Sequence, residues 1–452
     1  MTPKPSLLTI ANGDTTAHGR CAVKICVAGL WHLGVVTATC VAAAGHKVVA
    51  FDEEPAVVED LTNGVLPVDE PALTELLRQQ LSSGRLSFTT QRELALRDAD
   101  VLWITYDTPV DADDRADVEY VVSRARALIH SADPSTDIIV SSQLPVGTTR
   151  QLDSSSRPRR TFAYSPENLR LGDAVSAFTQ PERIVVGIRS DADRRRIEEL
   201  LGSFSNRIEW MGLESAELVK HGLNAFLAMS IAFANELAGI AERVGADASD
   251  IERGLKTERR IGPRAYLRPG AAFAGGTLAR DVDYLTQIGR REHVPTNLLE
   301  AIRVSNSEHA RWARRTIETL LDEDDGLEGH TIGIWGLAYK PGTDTLRRSN
   351  AVELCRDLAR AGATVKAHDP GVRSLPDDLS DVLTLCATPL AATEGASALV
   401  IETDWPSYRE VDPAQLVARM RTPNVVDANG FLAESLGDMA GVRYVRVGST
   451  SR

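Results

Sequence analysis

The 452-residue sequence predicts an α/β protein in which two Rossmann-like doubly wound domains are joined by a central helical region. Three observations predict it. Short apolar runs of strand length alternate with helix-spaced segments over the first 210 or so residues. From Ser215 the texture becomes helical. A second strand–helix alternation then follows an acidic, glycine-containing segment, DEDDGLEG, at 322–329. The expected bounds are a flexible tail over 1–20, a first domain over 21–212, helices over 213–322 and a last domain over 323–452.

VKICVAGL (23–30) is an apolar run ending near glycine, as a buried parallel strand should. The next residues, through Ala44, place small and apolar side chains at helical spacing and stop at Gly45. HKVVAFDEE (46–54) is a second strand that ends at Asp52. Further strands are expected at ADVLWITY (99–106), TDIIVSSQ (136–143), RTFAYSP (160–166) and RIVVGI (183–188). Residues 215–244 form one long helical pattern closing at Gly245, and 298–321 continue the helical texture. After the linker come TIGIWGLAY (331–339), the helix NAVELCRDLARAG (350–362), ATVKAHDP (363–370), ASALVIET (396–403) and NVVDANG (424–430).

Composition excludes several classes. Apolar residues make up 43% and charged residues 25%, which is ordinary for a globular chain. A net charge of -13 argues against nucleic acid or an anionic membrane as partner. Five cysteines without close pairs argue against a disulfide framework or a metal site, and fit a reducing, cytoplasmic compartment. No run of eighteen apolar residues suggests a membrane span.

A dinucleotide signal sits at the first strand–helix turn. Gly29, Trp31, His32, Leu33 and Gly34 occupy a fingerprint that asks for three glycines, of which Trp31 replaces the second. Asp52 follows Gly34 by 18 residues, at the end of the next strand, where a carboxylate hydrogen-bonds an adenosine ribose and favours NAD over NADP. A two-glycine turn is also an ordinary structural feature, so this signal alone leaves both readings open. The bulk of Trp31 is expected to shift or weaken the cofactor's approach.

Seven further segments occur in order: 61–77 (LTNGVLPVDEPALTELL), 108–121, 141–149, 164–187, 215–228, 259–281 and 336–349 (GLAYKPGTDTLRRS). This succession resembles the UDP-glucose/GDP-mannose dehydrogenase family from about residue 22 onward. The resemblance implies an NAD-binding domain, a dimerising helical middle and a C-terminal domain that helps bind the nucleotide sugar. It adds Thr108, Pro109 and Gln143 to the cofactor site. Typical members take the sugar's C6 carbinol to a carboxylate with two NAD, a cysteine trapping the intermediate aldehyde as a thiohemiacetal.

The family segment carrying that cysteine reads GFGGSCFPKD; here it is AFAGGTLARD (272–281), with Thr277 in the nucleophile's place. A hydroxyl needs a strong adjacent base to attack, whereas a thiol is partly ionised at neutral pH. The covalent half-reaction is therefore expected to be lost. The first oxidation needs only positioning, a proton acceptor and stabilisation of an alkoxide. Lys220 and Asn224 lie four apart on one helix face. The resemblance places both at the reacting carbon and gives Asp281 a water to hold. Glu167 matches a glutamate of the aldehyde and thioester stages, or serves as a strand-end acceptor.

For the sugar nucleotide the resemblance implies Leu169, Tyr266, Leu267, Phe273 and Gly275 around base and phosphates, with Arg260 offered across a dimer interface. Lys340 and Arg347 match the C-terminal signature, or are plain surface charges. Tyr106–Asp107, Gln143 and Asn429 depart from the usual Val-Pro, threonine and arginine.

The function expected is NAD-dependent two-electron oxidation of a UDP- or GDP-linked sugar at C6. It gives an aldehyde, or a ketone if the sugar is a heptose or octose of a specialised or antibiotic pathway. The alternatives are the full four-electron reaction to a uronate and a redox-dead nucleotide-sugar-binding protein. A homodimer or higher homo-oligomer and no metal are expected.

Overall fold

The computed structural model describes residues 22–449 except 69, 110–115, 155–159, 168, 170–171, 275 and 323–326. The expected tail at 1–20 lies outside the described residues, as does Gly275. The chain divides into two compact units, the first ending at Val219 and the second beginning at Lys220.

The first unit holds an eight-stranded sheet: β1 (Lys24–Ala28), β2 (Lys47–Phe51), β3 (Leu86–Thr89), β4 (Val101–Ile104), β5 (Asp137–Val140), β6 (Phe162–Tyr164), β7 (Ile184–Ile188) and β8 (Ile208–Gly212). Their spatial order is β3-β2-β1-β4-β5-β6-β7-β8, parallel except between β6 and β7. Cys26 sits level with Val49 on one side and Leu102 on the other, so the chain reverses its direction of winding at β1. A ligand crevice forms outside the carboxyl ends of the strands at such a point. Both faces are covered, because alternate residues serve different cores: Ile25 and Val27 join one, Cys26 and Ala28 the other.

Each expected strand of this unit is present, and two more were not foreseen. They are β3 and β8, the two edges of the sheet. Edge strands bury only part of their side chains, so LSFT and IEWMG carry no continuous apolar run.

The second unit contains an all-parallel six-stranded sheet in the order β11-β10-β9-β12-β13-β14. The strands are β9 (Thr331–Trp335), β10 (Thr364–His368), β11 (Thr384–Leu385), β12 (Ala398–Ile401), β13 (Asn424–Asp427) and β14 (Arg443–Val445). Winding reverses at β9 as it does at β1. The short edges, β11 and β14, again escaped the sequence pattern.

The long helix runs Leu213–Val244 and stops at Gly245, whose φ of 77° suits a left-handed cap. It is followed by helices Ala248–Thr257, Thr277–Arg291, Asn297–His309 and Trp312–Leu321. The last two divide what the sequence presents as one helical stretch. Among the described residues the Leu213–Val244 helix is long and apolar enough to cross a membrane, although charged side chains break any unbroken apolar run of eighteen. Its buried Glu217, Lys220, His221 and Asn224 belong to a core helix.

Candidate functional site

The cofactor turn is built by steric exclusion. Gly29 has φ 94°, and a Cβ there would meet the Cα and ring of Tyr106 at 2.7 Å. A Cβ on Gly34 would lie 1.8 Å from the Gly29 carbonyl oxygen, so only glycine lets the helix His32–Ala43 come this close to β1. Asp52 joins strand to turn: one carboxylate oxygen accepts the Leu30 N–H at 2.8 Å, the other the Glu54 N–H at 3.1 Å. Each oxygen keeps a further lone pair for a ribose hydroxyl.

Trp31 occupies the N-cap with its side chain 52% exposed. His32 pairs through Nε2 with the buried Glu70 at 3.0 Å, and Glu70 also accepts the N–H groups of Gly172 and Ala174. These donors hold its carboxyl below the usual range against the opposing effect of burial. Thr108 donates to the Gln143 carbonyl at 2.6 Å, tying the ends of β4 and β5, and Pro109 is exposed beside it. Leu33, Glu167 and Leu169 line one 90 Å³ cavity, so the turn shares a wall with Ser165, Pro166, Glu167 and Leu169. Glu167 accepts the Leu169 N–H at 2.6 Å.

Two more residues shape this unit: Tyr106, already marked in sequence as a departure, and Glu217, which the sequence pattern missed. The Tyr106 hydroxyl donates to Glu53 at 2.9 Å beneath the turn. Glu217, fully buried, accepts from Gly147 N–H, Thr149 N–H and the Thr149 hydroxyl at 2.6 to 2.9 Å. It thereby fixes the loop after Gln143. Its only sequence signal was an acid inside an apolar helix.

In the second unit, Asn224 and Asp281 come together, and Lys220 lies one turn before Asn224 on the same helix. Lys220 is 9% and Asp281 0% exposed. The Asn224 amide donates to one oxygen of Asp281, and His221 Nδ1 lies 2.9 Å from the other. Thr277 is the first residue of the helix that carries Asp281, exposed, and preceded by Gly276 at φ 118°. Of the cysteines described, Cys26 and Cys40 are buried among strand and helix of the first unit, their thiols pushed up to about 12 by desolvation. Cys355 is buried behind β9, and Cys386 lies beside β11.

The remaining substrate candidates divide between two cavities. Arg260, Tyr266 and Leu267 line one of 540 Å³ along the long helix. Lys340 lines another of 170 Å³ with Ala272, Ala274, Glu402, Asp404 and Asn429. Phe273 lies partly buried, its backbone clamped from both sides by the Asn306 amide. Arg347 is exposed and does not line the Lys340 cavity; its neighbour Arg348, at φ 61°, approaches Gly276 instead. Glu402 and Asp404 were also missed: burial, with Asp404 and Asp427 nearby, raises the Glu402 carboxyl to about 7.

Comparison with known proteins accounts for this arrangement. Three family models of the UDP-glucose/GDP-mannose dehydrogenases match in sequence: the NAD binding domain over 23–205, the central domain over 214–308 and the UDP binding domain over 333–434. A UDP-glucose 6-dehydrogenase of Pseudomonas aeruginosa is 34% identical over 445 residues, covering 94% of this chain and 97% of its own. The chain belongs to the UDP-glucose/GDP-mannose dehydrogenase family. This dehydrogenase also superposes on a solved UDP-glucose dehydrogenase of Pyrobaculum islandicum with TM-score 0.81 and 33% identity, covering 91% of this chain and 95% of that one. A UDP-D-ManNAc dehydrogenase of Pyrococcus horikoshii gives TM-score 0.80 and 26% identity, covering 94% and 99%.

It is an NAD-dependent nucleotide-sugar dehydrogenase. The Gly29 turn, the helix N-terminus behind it and Asp52 fit the pyrophosphate and ribose of NAD, which when bound supplies the hydride acceptor.

Proposed function

We propose that this dehydrogenase oxidises the C6 carbinol of a UDP-linked sugar. The observation that carries it is the buried Asn224–Asp281 contact, with buried Lys220 one turn before Asn224, in a chain matched along its length by UDP-sugar dehydrogenases. Lys220 stabilises the developing alkoxide, and Asn224 and Asp281 hold the water that takes the hydroxyl proton. Glu167 and Leu169 are the first unit's candidates for the sugar nucleotide; in the second unit Tyr266, Leu267 and Phe273 wrap base and phosphates, Lys340 and Arg347 face the substrate, and Arg260 is offered across a subunit boundary.

The named relatives support carrying the reaction through to a uronate, and that extent has the broader support. The aldehyde here would add water and the hydrate would give up the second hydride, with Glu167 as its proton acceptor. A second reading, a stop at the carbonyl after one hydride, is favoured by the hydroxyl of Thr277 where a thiol is usual. An extended-chain sugar, whose C6 is a secondary carbinol, would make that stop complete.

A panel of UDP- and GDP-sugars, scored by NADH per sugar and product mass, tests both. Two NADH and a uronate establish the first extent. One NADH and a carbonyl product establish the second. No NADH from any donor overturns the function.

The domain roles proposed are NAD binding over 21–212, dimerisation over 213–322 and nucleotide-sugar binding over 323–452. Phe226, Phe233 and Ile240 stand exposed at seven-residue intervals on the long helix, a face suited to a second copy of the chain. Phe233→Glu is expected to convert a dimer to monomers in light scattering.

A further inference from the structure

The grouping around Asp281 includes a side chain that the sequence pattern passed over. His221 follows Lys220 on the long helix and is 1% exposed. Its Nδ1 lies 2.9 Å from one Asp281 oxygen, while Asn224 donates to the other. A carboxylate only accepts, so with Asp281 ionised Nδ1 is the protonated nitrogen. Tyr284, three residues beyond Asp281 on its helix, stands edge-on to the imidazole with ring centroids 5.2 Å apart. The ring is therefore held in place by packing, and its donor is aimed by that packing at the carboxylate.

We propose that His221 is a positioning residue for the oxidation: it fixes Asp281 in rotation so that the carboxylate, Asn224 and Lys220 present one constellation to the carbinol. This rests on the function proposed above. The physical reason is the completeness of the enclosure. Asp281 has no exposure, and its two oxygens meet side chains at 221 and 224 of a single helix. Remove the imidazole, and one buried oxygen loses its charge-assisted partner and the carboxylate can rotate about the Asn224 contact. A misplacement of about 1 Å at a reacting centre costs roughly a hundredfold in rate. Glu217, Lys220, Arg280, Asp283 and Tyr284 are the other titratable groups within four residues of the pair on the two helices.

Asparagine places an amide donor where Nδ1 sits; phenylalanine keeps the ring and removes the donor; glutamine reaches only the Nε2 position. In the full-length enzyme with NAD and the active UDP-sugar, His221→Phe is expected to lower kcat about a hundredfold. KM for NAD should stay within twofold. His221→Asn should recover kcat to within about fivefold and keep the wild-type pH profile, since a group that only positions does not itself titrate in turnover. Melting curves and calorimetric NAD affinity report folding, and if the Phe variant does not fold, His221→Gln supplies the same loss of donor.

Full activity in the folded donor-less variant overturns the proposal. So does an Asn variant as inactive as Phe, or one that loses the acid limb of kcat/KM, which would make the imidazole a proton carrier. A wild type inert on every donor overturns the function, and this proposal with it, whereas an active wild type beside an indifferent His221→Phe overturns the proposal alone.

Discussion

Thr277 is the residue that separates the two extents of reaction proposed above. It opens the helix that carries Asp281, so a side chain there lies one turn from the carboxylate. Its hydroxyl cannot form a stable adduct with an aldehyde without a strong base beside it, whereas a thiolate can. Thr277→Cys is therefore expected to speed the second hydride transfer at least about tenfold, seen as a second NADH phase in single turnover. An unchanged second phase would show that position 277 is not at the reacting carbon. Lys220, Asn224, Asp281 and Thr277 were candidates from sequence alone, through helical spacing and an ordered motif. His221 was not: a lone histidine next to a lysine carries no pattern, and only its 2.9 Å contact with a residue 60 positions away reveals it.

At the scale of elements, both sheets close their first turn with the same device. Gly29 and Gly336 share φ 94°, and the acid ending the next strand, Asp52 or Asp369, accepts an N–H from the residue after that glycine. Central strands and their glycine turns were legible because burial on both faces demands unbroken apolar runs; the four edge strands were not, because nothing demands it of them. Glu217 shows a different limit. A buried acid in an apolar helix makes sense only once the loop at 147–149 is known to need three acceptor contacts. Glu217→Leu leaves two backbone N–H groups buried without partners, at a cost of about 2–4 kcal/mol. Urea unfolding should show this loss, and KM for NAD should rise as the loop beside Gln143 loosens.

At the scale of the whole molecule, the order of sheet, helices and second sheet along the chain was readable from texture alone. What texture could not show was the acidity of the Lys340 cavity, which arises where the ends of β12 and β13 bring Glu402, Asp404 and Asp427 together. This has a consequence for stability. Burial raises the Glu402 carboxyl to about 7 in the folded state, whereas in the unfolded chain it is an ordinary glutamate. Between pH ~4.5 and ~7 the folded protein thus binds more protons than the unfolded one, so this residue's contribution to stability falls as pH rises through that window. Below it the protonated group carries no penalty; above it the full cost of a buried charge beside two other acids is present. Glu402→Gln keeps the shape and removes the charge. Its advantage over wild type should be near zero at pH 4.5 and grow to on the order of 2 kcal/mol by pH 8, read as a rising difference in Tm. A difference that stays flat across this range would place Glu402 in contact with water or a cation. The Lys340 cavity would then be an open anionic pocket rather than one lined by a neutral carboxyl.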